Sequence, residues 1–292
     1  MPHMLRSGGF CVSRVVVGSQ AGLEVRDWPT LDVVGRLETE LAHVNDLAFS
    51  PDGRTLAAAG GAPAEDGVWE LFTWPSGELV RRQRGHDDLV YDVAWRDDGA
   101  SFASAAADRM ARVWRVGEED ALVELAGHSR GVTSVTWLPG AEVIVTAGLD
   151  HSLRAWEAGT GNLTRSLDNH TEPVLGLAVR PENGGGLPLL ASISADRTLR
   201  LWQPTIGRLV RFARLSAEPL AVAWTHDGRL LIVSCTDGQV RVIDPDTVRI
   251  IAELPAIDGW AHCLAVAPGD DAVLVGGTGG QLRVLKIREA NE

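Results

Sequence analysis

The chain has 292 residues, 45% of them hydrophobic, so we expect a folded protein with a sizeable core and exclude a disordered one. The formal net charge of −12 argues against a nucleic-acid-binding surface, because such surfaces carry a basic stripe. The 3 cysteines are too widely spaced for a disulfide framework or a Cys-x-x-Cys metal site, and we predict no signal peptide and no membrane span.

In chain order, the sequence predicts short strands, because apolar runs rich in β-branched and aromatic residues alternate with Gly, Asp and Pro turns. Pairs of strands joined by a tight turn follow one another along the chain. An apolar run that ends in an aromatic residue precedes several pairs, as at 90–95, and another run follows most of them. The predicted pairs lie at 14–26, 55–72, 101–114, 143–156, 189–202, 230–243 and 272–285.

Four residue types recur in the third, fourth and fifth of these units. A His stands before the first strand, a Ser or Thr lies in the second strand, an Asp occupies the next turn, and a Trp follows that Asp. The three His positions are each 42 residues apart, which is the length expected of a four-stranded propeller blade. The sets are His86, Ser104, Asp108 and Trp114; His128, Thr146, Asp150 and Trp156; and His170, Ser192, Asp196 and Trp202.

This pattern resembles the WD-repeat β-propeller family over essentially the whole chain. The resemblance implies an all-β protein, a seven-bladed β-propeller of four-stranded antiparallel blades in which residues 1–292 form one domain. Only Lys286 is a lysine among the 27 basic residues, and this bias favours a bacterial-type member. The sequence departs from the family in having no Trp-Asp dipeptide. The other four units lack the Gly-His and carry Arg26, Phe72, Ile243 and Leu285 in the Trp position.

Closure of the ring is open to two interpretations, because the last unit contains only three predicted strands. The segment MPHMLRS at 1–7 forms either the first inner strand or the missing outer strand of the last blade. The spacing favours the inner strand, which would leave an exposed sheet edge in the last blade.

Two patterns suggest hydrolytic chemistry. The stretch GHSRG at 127–131 matches the G-x-S-x-G nucleophile elbow, and each His-hydroxyl-Asp set has the residue types of a catalytic triad. However, a strand rather than a helix follows Ser129, and three near-identical sets argue against a single active site. The resemblance implies a structural hydrogen-bond chain that runs from Trp through the hydroxyl and His to Asp. We therefore expect no catalytic residue, and we keep a propeller hydrolase or lyase with its site at the channel mouth as the alternative.

A partner-binding surface is predicted on the face that carries the Gly-His loops, called the top face. Alignment of the first strands places Trp260 at its rim without an equivalent in other units, and large aromatic side chains are frequent binding anchors. The predicted partner-binding residues are Trp260, His262, His43, Asn45, Leu89, Tyr91 and Arg130, with the enlarged loop at 60–67 beside them.

The resemblance implies a non-catalytic scaffold for a protein or peptide partner, such as a signalling or effector protein. We expect no cofactor and no metal, since the 8 His residues show no metal-ligand spacing outside the repeated sets. We further expect no nucleic-acid or membrane partner, a cytoplasmic location, and a chain that is monomeric on its own.

Overall fold

The computed structural model describes residues 10–11, 13–19, 22–140, 142–181 and 186–287. These residues form seven antiparallel sheets, each a meander of sequential strands. The seven-bladed propeller with four-stranded antiparallel blades is thereby confirmed, and the two helical segments in this part of the chain are single 3₁₀ turns, Pro204–Ile206 and Thr278–Gly280. We number the blades 1 to 7 in chain order.

The strands of the first four blades have the following bounds. Blade 1 holds β1 (Phe10–Cys11), β2 (Arg14–Ser19), β3 (Gly22–Asp27) and β4 (Val33–Leu37). Blade 2 holds β5 (His43–Phe49), β6 (Thr55–Ala62), β7 (Asp66–Thr73) and β8 (Leu79–His86). Blade 3 holds β9 (Val90–Trp95), β10 (Ser101–Ala106), β11 (Met110–Arg115) and β12 (Val123–Ala126). Blade 4 holds β13 (Val132–Trp137), β14 (Val143–Gly148), β15 (Leu153–Glu157) and β16 (Leu163–Leu167).

The last three blades continue the same order. Blade 5 holds β17 (Val174–Val179), β18 (Leu190–Ser194), β19 (Thr198–Gln203) and β20 (Arg208–Arg214). Blade 6 holds β21 (Pro219–Trp224), β22 (Leu231–Cys235), β23 (Gln239–Asp244) and β24 (Arg249–Pro255). Blade 7 holds β25 (Ala261–Val266), β26 (Ala272–Gly277) and β27 (Leu282–Lys286).

The tryptophans that end the first strands of blades 3, 4 and 6 fasten those blades to the preceding one. The indole N–H groups of Trp95, Trp137 and Trp224 each donate to a backbone carbonyl in the first strand of the preceding blade, over 3.0 Å in all three cases. Apolar side chains from adjacent sheets also meet in shared core clusters, for example those of blades 3 and 4. Burial between neighbouring sheets, rather than within a single sheet, therefore holds the ring together.

A β-bulge recurs at one position in the first strand of blades 2 to 7. At each bulge the pairing with the second strand skips one residue, which places two residues opposite one. Two of the bulged side chains reach the next blade: Asn45 donates to the Val90 carbonyl at 2.7 Å, and Thr133 donates to the Val174 carbonyl at 2.6 Å. The skipped residues are Asn45, Tyr91, Thr133, Leu175, Leu220 and His262.

Blade 1 closes against blade 7 through side-chain packing. Val15 and Val17 of β2 are buried together with Leu274 of β26. The strand that pairs with β2 on its inner side is β1, whereas the segment 1–7, which the sequence favoured for that role, lies outside the described residues. Blade 7 shows three strands in the part of the chain that the structure describes.

Candidate protein-interaction face

The top face is the end of the blades where the loop before each first strand meets the turn between the second and third strands. In blade 3, Asp108 in that turn is hydrogen-bonded to His86, which ends the preceding β8. In blade 7, the backbone N–H of Trp260 donates to Thr278 Oγ1 at 2.9 Å, and the Thr278 N–H donates back to the Trp260 carbonyl at 3.0 Å. Two hydrogen bonds thus fix the backbone that carries Trp260.

The three predicted His-hydroxyl-Asp-Trp sets each form a continuous chain of hydrogen bonds. In blade 3, the Trp114 indole donates to Ser104 Oγ at 2.8 Å, Ser104 lies 2.7 Å from His86 Nε2, and His86 Nδ1 lies 2.9 Å from Asp108. Blades 4 and 5 repeat this arrangement with distances between 2.7 and 3.0 Å. Each chain links the third strand to the loop before the first, and so stiffens the top of its blade.

The protonation of these sets follows from burial. Burial lowers the pKa of His86 below its usual value of 6.5 and outweighs the opposing hydrogen bond to Asp108, so the ring is neutral. Burial alone would raise the pKa of Asp108, but hydrogen bonds from His86 and the Met110 amide, with the charge of Arg112, bring it to about 2. The Nδ1–H of a neutral ring must then donate to the carboxylate, while Nε2 accepts the hydroxyl proton of Ser104.

The same geometry shows why these residues are poor candidates for nucleophilic catalysis. Ser104, Thr146 and Ser192 are completely buried, so a substrate cannot reach their hydroxyls. Ser129 of the GHSRG stretch is exposed, but its backbone N–H donates to Asp150 at 2.9 Å, and β13 rather than a helix follows it. The nucleophile elbow requires a strand-to-helix turn, so the motif match does not describe an elbow here.

Three of the remaining blades replace the His, the hydroxyl and the Trp of the set with apolar residues, of which the sequence had shown only those in the Trp position. In blade 2, Leu41, Ala58 and Phe72 are buried in one cluster. The register of β6 and β7 places Ala58 and Phe72 at the positions of the hydroxyl and the Trp, and Leu41, in the loop before β5, packs in the same cluster. Corresponding trios occur in blades 6 and 7, namely Leu215, Val233 and Ile243, and Ile257, Val275 and Leu285.

The residues predicted to bind a partner fall into three groups by exposure. Trp260, with 52% of its surface exposed, and Arg130 project into solvent, whereas His43, Asn45 and Tyr91 are half-buried. The other two residues, Leu89 and His262, were predicted at the exposed rim, but they are buried, with only 9% and 5% of their surfaces exposed. His262 lies edge-on against the Trp260 ring at a centroid distance of 5.7 Å, so it supports the exposed indole from below.

The enlarged loop at 60–67 is largely strand. β6 and β7 each have eight residues and pair as far as Ala62 and Asp66, so this hairpin extends above its neighbours. The Ala64 N–H near its tip donates to Asp88 Oδ1 at 2.7 Å, which ties the hairpin to the loop before β9. The hairpin therefore projects from the top face next to Leu89 and Tyr91, and its hydrogen bond to Asp88 holds it in place.

The centre of the ring contains two carboxylates that the sequence analysis missed. A hollow of about 300 Å³ is lined by Asp46, Asp92 and Ser134 from the first strands of blades 2, 3 and 4. Asp46 accepts the Val93 N–H at 3.0 Å, and Asp92 accepts the Ser134 hydroxyl at 2.5 Å. Each carboxylate thus bridges to the next blade, which gives it a structural use and does not favour the alternative of an enzyme at the channel mouth.

No group of three or more His, Cys, Asp or Glu side chains in the described ranges is placed to hold a metal ion. No helix within the same ranges has the length and apolar character needed to cross a membrane.

The blade count and the repeated hydrogen-bond sets define a β-propeller of the WD-repeat class. A comparison with family models agrees, because the model described as WD domain, G-beta repeat, matches residues 35–71, 77–115, 120–157 and 161–203. The chain belongs to this family. A second model, described as the anaphase-promoting complex subunit 4 WD40 domain, matches residues 188–268. WD40 propellers generally serve as protein-interaction scaffolds and are typically non-enzymatic.

Similar proteins are found among curated eukaryotic sequences. Nuclear distribution protein PAC1 of Arthroderma benhamiae is 29% identical over 249 residues, which is 82% of this chain and 44% of that protein. THO complex subunit 3 of Arabidopsis thaliana is 25% identical over 168 residues, or 56% of this chain and 39% of that protein. The chain thus spans less than half the length of these relatives, and the expectation of a bacterial-type member stays a prediction.

A solved structure extends the likeness to nearly the whole chain. One chain in the crystal structure of the Mitotic Checkpoint Complex superposes with a TM-score of 0.84 at 16% identity, over 98% of this chain and 87% of that one. At this identity the likeness shows the fold alone.

Proposed function

We propose that this protein is a non-catalytic scaffold that holds a partner protein or peptide on its top face, around Trp260, Tyr91 and the hairpin at 60–67. The observation that carries the proposal is the exposure of Trp260. All ten tryptophans lie in described positions, and Trp260 is the one whose surface is mostly open to solvent. An exposed indole costs free energy in water, and burial against a partner would recover it.

The surroundings of Trp260 suit an anchor. The two hydrogen bonds with Thr278 fix its backbone, and the His262 ring packs against the indole, so little conformational freedom would be lost on binding. The β6–β7 hairpin belongs to blade 2 and Tyr91 to blade 3, on the other side of blade 1 from Trp260. A segment lying across blade 1 could therefore contact both regions.

The comparisons support a role within an assembly, although they name no partner for this chain. THO complex subunit 3 is by its name part of a complex, and the superposed propeller is a chain in the structure of the Mitotic Checkpoint Complex. We place the protein in the cytoplasm, because its dispersed cysteines suit a reducing compartment.

The test is a quantitative pull-down with the full chain as bait. Trp260→Ala and Tyr91→Ala should each reduce recovery of the partner at least several-fold, whereas Leu187→Ala should not. Leu187 is a matched control, because it is 48% exposed and lies in the loop between β17 and β18 at the opposite end of the blades. Unchanged recovery by both top-face variants, with folding verified by circular dichroism, would refute the site.

A further inference from the structure

The third and fourth strands of the blades form the outer wall of the propeller. One position on this wall carries a repeated cross-strand ion pair. In blades 1, 2, 3 and 6, a Glu and an Arg stand opposite one another on the third and fourth strands. The order of the two charges is reversed between blades: the third strand carries the Glu in blades 1 and 2 and the Arg in blades 3 and 6. The pairs are Glu24 with Arg36 at 3.0 Å, Glu70 with Arg82 at 2.7 Å, Arg112 with Glu124 at 3.0 Å, and Arg241 with Glu253 at 2.8 Å.

Blades 4 and 5 lack the acid of this pair. Arg154 stands opposite Ser166, and Arg200 stands opposite Phe212. The Arg154 Nε is buried without a hydrogen-bond partner in the described structure, whereas the equivalent Nε of Arg112 donates to Glu124. Phe212 is 49% exposed, and the Arg200 guanidinium lies 5.7 Å from the centre of its ring.

The fourth strand of blade 5 adds further positive charge to this wall. Arg208, Arg211 and Arg214 of β20 are exposed, and Arg165 of blade 4 is held beside them by its hydrogen bond to the Thr205 carbonyl at 2.9 Å. Among described residues, none of these four arginines has an ion-pair partner within 4 Å, unlike the arginines of the four cross-strand pairs, which are Arg36, Arg82, Arg112 and Arg241. A chain of net charge −12 thus displays a cationic stripe here.

Acidic residues nearby only partly offset this stripe. Asp246 lines the same hollow as Arg211, and hydrogen bonds from Thr247 and the Asp246 amide, together with the Arg211 charge, lower the pKa of Asp244. Both aspartates lie at or beyond the end of β23 in blade 6, towards the bottom of the propeller. The upper part of the stripe, around Phe212 and Arg214, is next to Glu253, whose carboxylate already pairs with Arg241.

β20 is also an open sheet edge. It pairs with β19 on one side, and it is the outermost strand of its sheet. Such an edge presents backbone N–H and C=O groups to which an extended segment can add as a further strand. Its seven residues span about 23 Å, which would accommodate a segment of similar length. The arginines repel basic edges and attract acidic ones, so they also select the incoming strand.

We propose that the outer wall of blade 5 is a second docking site, where β20 binds an extended acidic segment of a partner protein by strand addition. Carboxylates of that segment supply the acid missing from this wall, and an apolar residue covers Phe212. A polynucleotide is less suitable, because it cannot continue the sheet and the rest of the molecule repels it. This site is separate from the top face and does not depend on it.

The test measures fluorescence anisotropy of labelled peptides with the full chain at low salt. The probe is a seven-residue peptide of alternating Glu and Val, and its matched form carries N-methyl groups on alternate amides, which block strand pairing and keep the charge. The triple variant R208Q/R211Q/R214Q should weaken binding of the probe at least tenfold. The control R36Q/R84Q/R249Q removes three arginines from the fourth strands of blades 1, 2 and 6 and should stay within twofold of wild type.

Each other outcome is decisive. Equal weakening by the two triple variants would show that only the net charge of the protein matters, and it would overturn the site. An N-methylated peptide that binds as tightly as its parent would overturn binding by strand addition. Tighter binding of a single-stranded oligonucleotide than of the acidic peptide would overturn the assignment to a protein segment. Trp260→Ala should bind the acidic peptide like wild type, so this site and the top-face proposal can fail independently.

Discussion

Replacement of His86 by Leu tests whether the hydrogen-bond sets stabilise their blades. The ring makes two hydrogen bonds, to Asp108 at 2.9 Å and to Ser104 at 2.7 Å. Asp108 keeps donors from the Met110 amide and Arg112, but the Ser104 hydroxyl loses its acceptor. One neutral and one charge-assisted hydrogen bond together contribute about 2–4 kcal/mol. Leucine burial returns about 1 kcal/mol, so we expect a net loss of roughly 2 kcal/mol.

A triple variant makes this reasoning sharper. H86L/S104A/W114F reproduces in blade 3 the apolar trio of blade 2 and removes every polar group of the set except Asp108, which Arg112 still pairs. The loss of unfolding free energy should therefore be at least about 1 kcal/mol smaller than the sum of the three single losses, because the groups share partners. Urea unfolding followed by tryptophan fluorescence measures all four variants. A loss below about 0.5 kcal/mol for His86→Leu, or strict additivity in the triple variant, would refute the coupling.

Three further outcomes are expected. Thermal stability should fall as the pH drops below about 6.5, because the buried His86 has a lowered pKa and the unfolded chain then binds more protons than the folded one. A second fall is expected from about pH 3.8 towards 2, because Asp108 is protonated in the unfolded chain before it is protonated in the folded one. Scanning calorimetry between pH 7.5 and about 2 would show both falls, and a flat profile would contradict them. Gly60→Ala should destabilise strongly, because its new Cβ would lie 1.7 Å from a backbone oxygen of β5, whereas Gly159→Ala meets nothing within 4 Å; a thermal shift assay compares the two. Cys235 should resist alkylation at pH 8 until the protein unfolds, since burial raises the pKa of its thiol to about 11, and peptide mass mapping would detect early modification.

The architecture was predictable because its signals are local. The residues of one set, such as Asp108 and Trp114, lie within a single blade and recur at the blade spacing, so their positions showed the repeat and the sheet pattern together. The strand pairs expected from the turns correspond to the observed second and third strands of all seven blades. Propeller geometry then follows from the number of units.

Contacts between blades were not predictable in the same way. Asp46 bonds to Val93, 47 residues further along the chain, and no pattern within one unit marks that pair. The burial of His262 was not predicted. Alignment of the first strands of the blades gives only the position of a residue along its strand, whereas the β-bulge at His262 decides the direction of its side chain. The reversed ion pairs on the outer wall, such as Glu24 with Arg36, became visible only with the cross-strand register.

Hydrogen exchange of the propeller, alone and bound to the partner recovered with the wild-type chain, tests the central proposal most directly. Our account predicts slower exchange at the top face, in the segments 258–262, 87–91 and 62–66, and unchanged exchange at the opposite end of the blades. Protection confined to the turns between first and second strands, such as 96–100 and 225–229, would contradict a scaffold that binds its partner around Trp260.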